Sequence, residues 1–394
     1  LQPDGEKRKA PLLRATPHGS STTSYTKSRP FLSRLVNNQC LNSGNSGREI
    51  RHFALRLDDS FHYDAGDALG VWPRNCPELV DEILSRLKLS PDTLVSSEEG
   101  DVPLATALLT RYEIARVSPP LIEAIATQSR TGPLSELAKP GHETELKQWL
   151  WGRQLVDILH EHPDIRWNAA ELLALLKPLQ PRLYSISSSP KVADNEVHLT
   201  VSAVRYRRGQ KLRKGVSSTF LADRARDSAI PIFLNRSPHF RPPADTRTAM
   251  IMIGPGTGIA PFRAFLHERR AVGAGGRNWL FFGAQHAATD FYYRDEIECW
   301  RRDGFLTRLD LAFSRDQPQK IYVQDRMREQ GAALWRWLQE GAHLYVCGDA
   351  SRMARDVDQA LNDIAVAHGG LSPQQADTYI RQLGRDKRYV RDVY

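Results

Sequence analysis

The 394-residue sequence predicts an α+β unit, an antiparallel β-barrel with a helical insertion, followed by an α/β unit with a Rossmann-like parallel sheet. Three patterns carry that expectation. Apolar and polar residues alternate in short runs from Phe31 to Pro73 and again from Arg182 to Phe233, the period of half-buried strands. Between those blocks, from about 77 to 177, the apolar spacing is helical and interrupted by Pro and Gly. From Thr248 onward strand and helix patterns alternate, the signature of βαβ units around a parallel sheet.

Residues 1 to about 28 are rich in Lys, Arg, Ser, Thr and Pro and read as a linker or disordered tail. The chain starts at Leu1 and not at methionine, so it reads as a fragment or a processed product. The barrel domain, 29–247, is expected to hold strands at Ser33–Val36, Glu49–Leu57 and Gly66–Pro73. Its insertion, about 75–177, carries amphipathic runs such as Glu78–Leu89 and Ala169–Leu176. Strands resume at Arg182–Ser187 and Glu196–Val204, with a helical turn at Ser218–Asp223 and a short strand at Ile230–Phe233. In the last domain, 248–394, strands are expected at Ala249–Ile253, Asn278–Phe282, Arg308–Phe313 and His343–Cys347. Helices are expected at Pro261–Arg270, Arg294–Asp303, Gln324–Gln330 and Ala350–His368.

Composition narrows the function classes. No apolar run approaches the roughly 20 residues of a membrane span, and the N-terminus lacks the apolar core of a signal peptide. The cytoplasm is therefore the expected address. Cys40, Cys76, Cys299 and Cys347 lie far apart with no CxxC pair, which argues against a local zinc or iron–sulfur cluster. The formal charge of +8 is concentrated in one dense run, Arg205 to Lys214, with six basic residues. No nucleic-acid motif accompanies it. It reads either as a solvated loop or as a landing site for an acidic redox partner.

Four stretches carry chemistry. Ile253-Gly254-Pro255-Gly256-Thr257-Gly258 is a strand feeding a glycine-rich turn that opens a helix. Such a turn lets backbone N–H groups approach a pyrophosphate unobstructed. Arg182-Leu183-Tyr184-Ser185 offers a cation for a diphosphate, a ring for a flavin face and a hydroxyl for the flavin N5 region. Tyr184 is expected on the face opposite Arg182 and Ser185. Gly215-Val216-Ser217-Ser218 is a second backbone cradle, or equally an ordinary helix cap. Ser314-Arg315, followed by Lys320-Ile321-Tyr322-Val323-Gln324, clusters cations and hydroxyls where a 2′-phosphate needs them and an NAD ribose would want a carboxylate. Cys347 ends a strand, as a small thiol beside a nicotinamide or as a plain buried cysteine. Asp392 and Tyr394 end the chain, either as a frayed tail or as a mobile cover for a flavin.

These residues, with Asn278–Gly283, Ser314–Gln317, Tyr322–Asp325, Tyr345–Asp349 and Arg388–Tyr394, resemble the FAD/NADPH module of diflavin reductases, which share the ferredoxin–NADP reductase architecture. Within that family they are most similar to the flavoprotein subunits of assimilatory NADPH–sulfite reductases. The resemblance covers about residues 25 to 394 and is tightest from 180 onward. It implies that Arg182, Leu183, Tyr184 and Ser185 bind FAD, with Thr200, Val201, Ser202 and Tyr206 lining its site. Gly215, Val216, Ser217 and Ser218 would hold the pyrophosphate, and Thr127 would add a contact from the insertion. Gly254, Gly256 and Thr257 would face the NADPH phosphates, and the Ser314–Gln324 cluster with Asp356 would take the 2′-phosphate end. Ser185, Cys347 and Asp392 would assist hydride transfer, and Tyr394 would stack on the isoalloxazine.

The family also implies a flavodoxin-like FMN domain as electron acceptor. No strand leading into a Thr/Ser-rich phosphate loop occurs near the N-terminus, so FMN is expected on a missing domain or a partner chain. A terminal reductase such as a sulfite reductase hemoprotein, serving cysteine biosynthesis, would follow. Two other readings stay open from the residues: the same module serving a different terminal enzyme such as nitrate reductase, and a flavin-binding docking module without turnover.

Overall fold

The computed structural model describes residues 25–97, 100–129 and 133–394, so the expected tail falls outside the described residues except for its last few positions. The first half is built on two antiparallel sheets. One has the strand order Phe31–Ser33, Ile230–Asn235, Ala68–Val71, Arg182–Ser185, and the other Leu35–Cys40, Ile50–Arg56, Glu196–Ser202. Only Arg34 separates the strands that pass from one sheet to the other, and a bridge between Ile186 and Leu199 joins them on the opposite side. Alternating side chains then point into one shared interior. Phe53, Leu55, Leu69, Val71, Ile186, Leu199 and Ile232 are fully buried there, which is the closed, barrel-like arrangement the period-two pattern predicts.

The helical segment leaves this sheet after Val71 and returns as its neighbouring strand at Arg182. Its helices, from Pro77–Leu87 to Ala169–Leu175, bury a separate core that includes Ile83, Leu104, Ile125, Leu155 and Leu172. The Ala169–Leu175 helix starts where the side chain of Asn168 accepts the Glu171 N–H at 3.0 Å and Glu171 accepts the Asn168 N–H at 2.8 Å. That reciprocal cap fixes the helix start.

The second half is a five-stranded parallel sheet in the order Arg308–Phe313, Asn278–Ala284, Met250–Ile253, His343–Gly348, Tyr389–Val393. Every side chain of Met250–Ile253 is buried, as a strand covered by helices on both faces requires. The first strand in sequence sits at the centre and the connections run outward both ways. The crevice beyond its carboxyl end is therefore the topological switch point, where such sheets take ligands. Gly254–Gly258 occupies it.

Four features differ from the sequence expectation. Arg205–Arg208 and Lys211–Lys214 form an antiparallel hairpin and not a loop. A helix at Gly331–Gln339 and another at Pro373–Arg385 were not expected. The terminal residues are a strand, paired in parallel with His343–Gly348. Among the described residues no helix is long and apolar enough to cross a membrane.

Candidate functional site

Two cavities flank the seam between the two halves. The first, about 660 Å³, is walled by the Arg182–Ser185 strand, by Thr200, Val201, Ser202 and Tyr206, and by the turn Gly215–Ser218. Thr257, Asp392 and Tyr394 close it from the nucleotide-domain side. The second, about 420 Å³, lies over the switch point and is lined by Gly256, Ser314, Arg315, Lys320, Tyr322, Val323, Gln324 and Asp356.

The Gly215 turn is shaped by contact. Gly215 N donates to the Val204 carbonyl at 2.8 Å, and Ser218 Oγ accepts the Val204 N–H at 3.1 Å. A Cβ on Gly215 would stand 2.9 Å from Val204 Cβ, so a larger residue would push the turn off the strand. Ser217 Oγ is buried on the cavity wall beside the Tyr184 hydroxyl and keeps hydrogen-bonding capacity for a ligand oxygen. The donor set therefore fits an anionic cofactor such as the FAD diphosphate. Arg182 sits beside this wall with its guanidinium tied to Glu113 Oε2 at 3.0 Å and to the Gln180 carbonyl at 2.9 Å. Register places Arg182 opposite Val71 and Tyr184 opposite Leu69. Tyr184 thus shares a face with Arg182 and opposes only Ser185, correcting the sequence reading, because strand alternation separates nearest neighbours and returns at every second residue.

At the switch point the glycines divide the work. A Cβ on Gly254 would fall 2.6 Å from the Phe262 ring and one on Gly258 2.1 Å from the Cys347 carbonyl oxygen. Both are packing positions, and Gly254 does not line either cavity. Gly256 alone, at φ +59° and with nothing within 4 Å of a Cβ, is open toward the second cavity. Ile321 does not line that cavity either.

The cations of the second cavity are presented by loops at strand ends. Arg315 N donates to the Gln285 carbonyl at 2.9 Å and Ser314 N to the Ala284 carbonyl at 3.0 Å, so both side chains leave the carboxyl end of the sheet. Tyr322 caps the Val323–Glu329 helix, its N–H bonded to Asp325 at 2.8 Å and its ring exposed. Gln324 Nε2 donates to Asp356 at 3.3 Å. Sequence reasoning missed Arg48, which enters this cavity from the loop between the Leu35–Cys40 and Ile50–Arg56 strands. With its amide turned to satisfy both donors, Gln285 accepts from Arg48 Nε at 3.0 Å and from Arg315 at 3.3 Å. Nothing local in the sequence links a residue before 50 to one after 280.

Ser185 and Asp392 come together on the wall of the first cavity, and Cys347 is buried beside Asp392, outside the lining of either cavity. Ser185 Oγ donates to Asp392 Oδ2 at 2.7 Å, and Cys347 Sγ lies 4.0 Å from the same oxygen. Asp392 arrives there because the terminal strand pairs Asp392 with Cys347 and Val393 with Gly348. Tyr394 continues that pairing, its N–H donating to the Gly348 carbonyl at 3.1 Å and its hydroxyl lying 3.0 Å from Thr257 Oγ1. The frayed-tail alternative falls. The Tyr394 ring is 63% exposed, over the cavity mouth. Cys347 is fully buried, and burial together with the Asp392 charge pushes its thiol well above the ordinary range, so it is a neutral thiol and no nucleophile.

Thr127 stands apart from these residues. It is exposed on the Pro119–Gln128 helix, its hydroxyl bonded back to the Glu123 carbonyl at 2.8 Å, and it is not part of the first cavity's wall. A helical threonine satisfies itself this way when nothing else reaches it. The basic run is also reassigned. Arg205 pairs with Glu49 and Asp223 at 2.7 and 2.6 Å, Arg213 with Glu82 and Asp157 at 2.8 and 2.6 Å, and Arg208 with Glu161 at 3.2 Å. Much of its charge is spent inside the molecule, stitching the hairpin to the helical segment and leaving less for a partner.

The chain matches the FAD binding domain family over residues 23–220 and the oxidoreductase NAD-binding domain family over residues 252–359. It is 46% identical to the sulfite reductase [NADPH] flavoprotein alpha-component of Mannheimia succiniciproducens and 47% identical to that of Cronobacter sakazakii. Each alignment covers 95% of this chain and 62% of the relative. The alpha-component of Serratia proteamaculans is 46% identical over 94% of the chain and 62% of its own length. The chain thus spans somewhat under two thirds of the relatives it matches.

Proposed function

The chain belongs to the FAD binding domain family, with an oxidoreductase NAD-binding domain following, and from that premise we propose that it is an NADPH-dependent flavoprotein reductase module. It would pass electrons from NADPH through FAD to a flavodoxin-like FMN domain or protein, and so to a sulfite-reducing hemoprotein. The observation that carries the reading is the Ser185–Asp392 pair on the wall of one ligand-sized cavity, with Cys347 beside it, together with a second, cation-lined cavity over the switch point. The names of the aligned relatives support sulfite as the final acceptor. The cytoplasmic address and the domain limits 29–247 and 248–394 belong to the same proposal.

When bound, FAD supplies the redox chemistry, accepting hydride from the nicotinamide and releasing electrons singly. The protein's share is binding, orientation and exclusion of water. Ser217 and the Gly215 turn would hold the FAD diphosphate, with the Arg182 charge shared between it and Glu113. Ser185 presents its hydroxyl in one orientation because Asp392 accepts its proton. Cys347, buried beside Asp392 and outside the lining of either cavity, would contribute a small uncharged group behind the site. Tyr394, held by one side-chain contact to Thr257, can swing aside at little cost to admit the nicotinamide. Arg315, Lys320, Ser314 and Tyr322 would recognise the 2′-phosphate.

The test is Arg315→Ala in the FAD-loaded chain with an artificial one-electron acceptor. Loss of a charge-assisted hydrogen bond of about 1.5–3 kcal/mol raises the KM for NADPH roughly 10- to 150-fold and leaves that for NADH nearly unchanged. An equal rise for both nucleotides would remove Arg315 from the phosphate site.

A further inference from the structure

Beside the two cavities lies a dense polar cluster, largely buried, that touches the first cavity's wall only through Thr200. It joins the two halves of the molecule. His52, His198 and Thr200 come from the second antiparallel sheet, and Arg263, His267, Tyr293 and Glu296 from helices of the nucleotide half and their caps. The Arg263 fork donates to Glu296 at 2.6 and 3.0 Å and to the Ser187 carbonyl at 2.8 Å. His267 Nε2 is 2.6 Å from the same carboxylate, so the fork is held from both ends. The Tyr293 hydroxyl lies 2.6 Å from Thr200 Oγ1 and 3.1 Å from His52 Nδ1, and its ring sits 4.7 Å from the Arg263 guanidinium.

Tyr293 takes a left-handed backbone, φ +57°, immediately before the Arg294–Arg302 helix. For a bulky residue that conformation is costly and persists only where its surroundings impose it. Here they do: the strained backbone aims the ring across the seam, where cation–π contact and two hydrogen bonds fix it. Burial and the Arg263 charge hold His52 at a pKa of about 3, so its ring is neutral and accepts or donates without adding charge to the seam.

The tie ends on the site itself. Ser187 lies two residues beyond Ser185, and its N–H donates at 2.8 Å to the carbonyl of His198, two residues before Thr200. The nucleotide half therefore grips both chain segments that carry the first cavity's wall. We infer that Tyr293 is a positioning residue for hydride transfer, its hydroxyl holding Thr200 so that the nicotinamide half keeps one register against the flavin pocket. This rests on the reductase reading given above.

The test uses the full FAD-loaded chain and Tyr293→Phe, which keeps the ring and its place beside Arg263 and removes only the hydroxyl. The limiting rate of flavin reduction at saturating NADPH is expected to fall about 10- to 100-fold, since misplacement by about an ångström can cost that much. The KM for NADPH should stay within about twofold, as the second cavity is untouched. The FAD Kd, read by fluorescence, should rise roughly 3- to 10-fold for the loss of one net hydrogen bond. Thr200→Val should do the same, and the double variant should be no worse than the poorer single one. A first-order reduction rate reports only loaded molecules, so a variant that folds poorly loses amplitude and not rate. A wild-type limiting rate in Tyr293→Phe, or additive effects of the two substitutions, would overturn the inference. If NADPH fails to reduce even the unaltered chain, the reductase reading falls, while the FAD Kd cycle still decides whether Tyr293 acts on the flavin site through Thr200.

Discussion

Replacing Asp392 by alanine tests the Ser185–Asp392 contact on the first cavity's wall most sharply. The carboxylate accepts the Ser185 hydroxyl at 2.7 Å, and that hydroxyl faces the first cavity. A hydrogen bond to an ionised group contributes about 1.5–3 kcal/mol, and removing it frees Ser185 to rotate. If the whole of that contribution is felt in the transition state, the limiting rate of flavin reduction falls roughly 10- to 150-fold. Asp392→Asn keeps a neutral acceptor, so it should lose only about 3- to 10-fold, the difference between charged and neutral bonds. Removing the charge also lowers the Cys347 thiol pKa, because the carboxylate disfavours the thiolate 4.0 Å away. Burial is the larger cause and stays, so Cys347 should remain unreactive to alkylating reagents in both variants. The assay is anaerobic stopped-flow reduction by NADPH, with FAD affinity measured in parallel. A limiting rate within twofold of the unaltered chain in Asp392→Ala would refute the role given to the carboxylate. Equal losses in Ala and Asn would refute the role given to its charge.

Further outcomes follow from the same geometry. Gly258→Ala would place a Cβ 2.1 Å from the Cys347 carbonyl oxygen, so it should destabilise the nucleotide domain by at least about 2 kcal/mol in denaturant unfolding. Deleting Tyr394 should relax the preference for NADPH over NADH, and unchanged NADH kinetics would count against its covering role. Burial opposes ionisation of Glu296, but hydrogen bonds from His267 and Arg263 prevail and hold its pKa at about 2, below the ordinary 4.5. That group contributes stability above pH 4.5 and loses it as pH falls toward 2, by at most about 3 kcal/mol. Unfolding measured between pH 5 and 2 should therefore show a shallower acid loss in Glu296→Gln than in the unaltered chain.

Much of this was readable because local chemistry and global fold agree. The Gly254–Gly258 turn, its buried preceding strand and the alternation after Thr248 each point to the same parallel sheet, and the strands fall within a residue or two of their expected limits. The Arg182–Ser185 and Gly215–Ser218 stretches reach one cavity because each lies on an element with a strong local signature. What escaped depends on partners distant in sequence. The hairpin Arg205–Lys214 looked like a free cationic loop because Glu49, Glu82 and Asp157, which pair its charges, are scattered over the preceding chain. Tyr389–Val393 is a short strand that is defined by its pairing with His343–Gly348. The Pro373–Arg385 helix is different. Ser372-Pro373 with Gln375 is a capping box with proline at the first turn, and the structure forms both of its hydrogen bonds. That signal is local and legible in the sequence. Arg48 and Tyr293 had no local signal, since each acquires its role only when the two halves meet.

The central claim is that hydride from NADPH reaches a flavin held in the first cavity. The most direct measurement is anaerobic mixing of the FAD-loaded chain with NADPH or NADH, following the flavin absorbance. The account predicts rapid bleaching by NADPH and much slower bleaching by NADH, with the difference abolished in Arg315→Ala. Bound FAD that neither nucleotide bleaches would contradict it, and would leave a flavin-binding module that does not turn over.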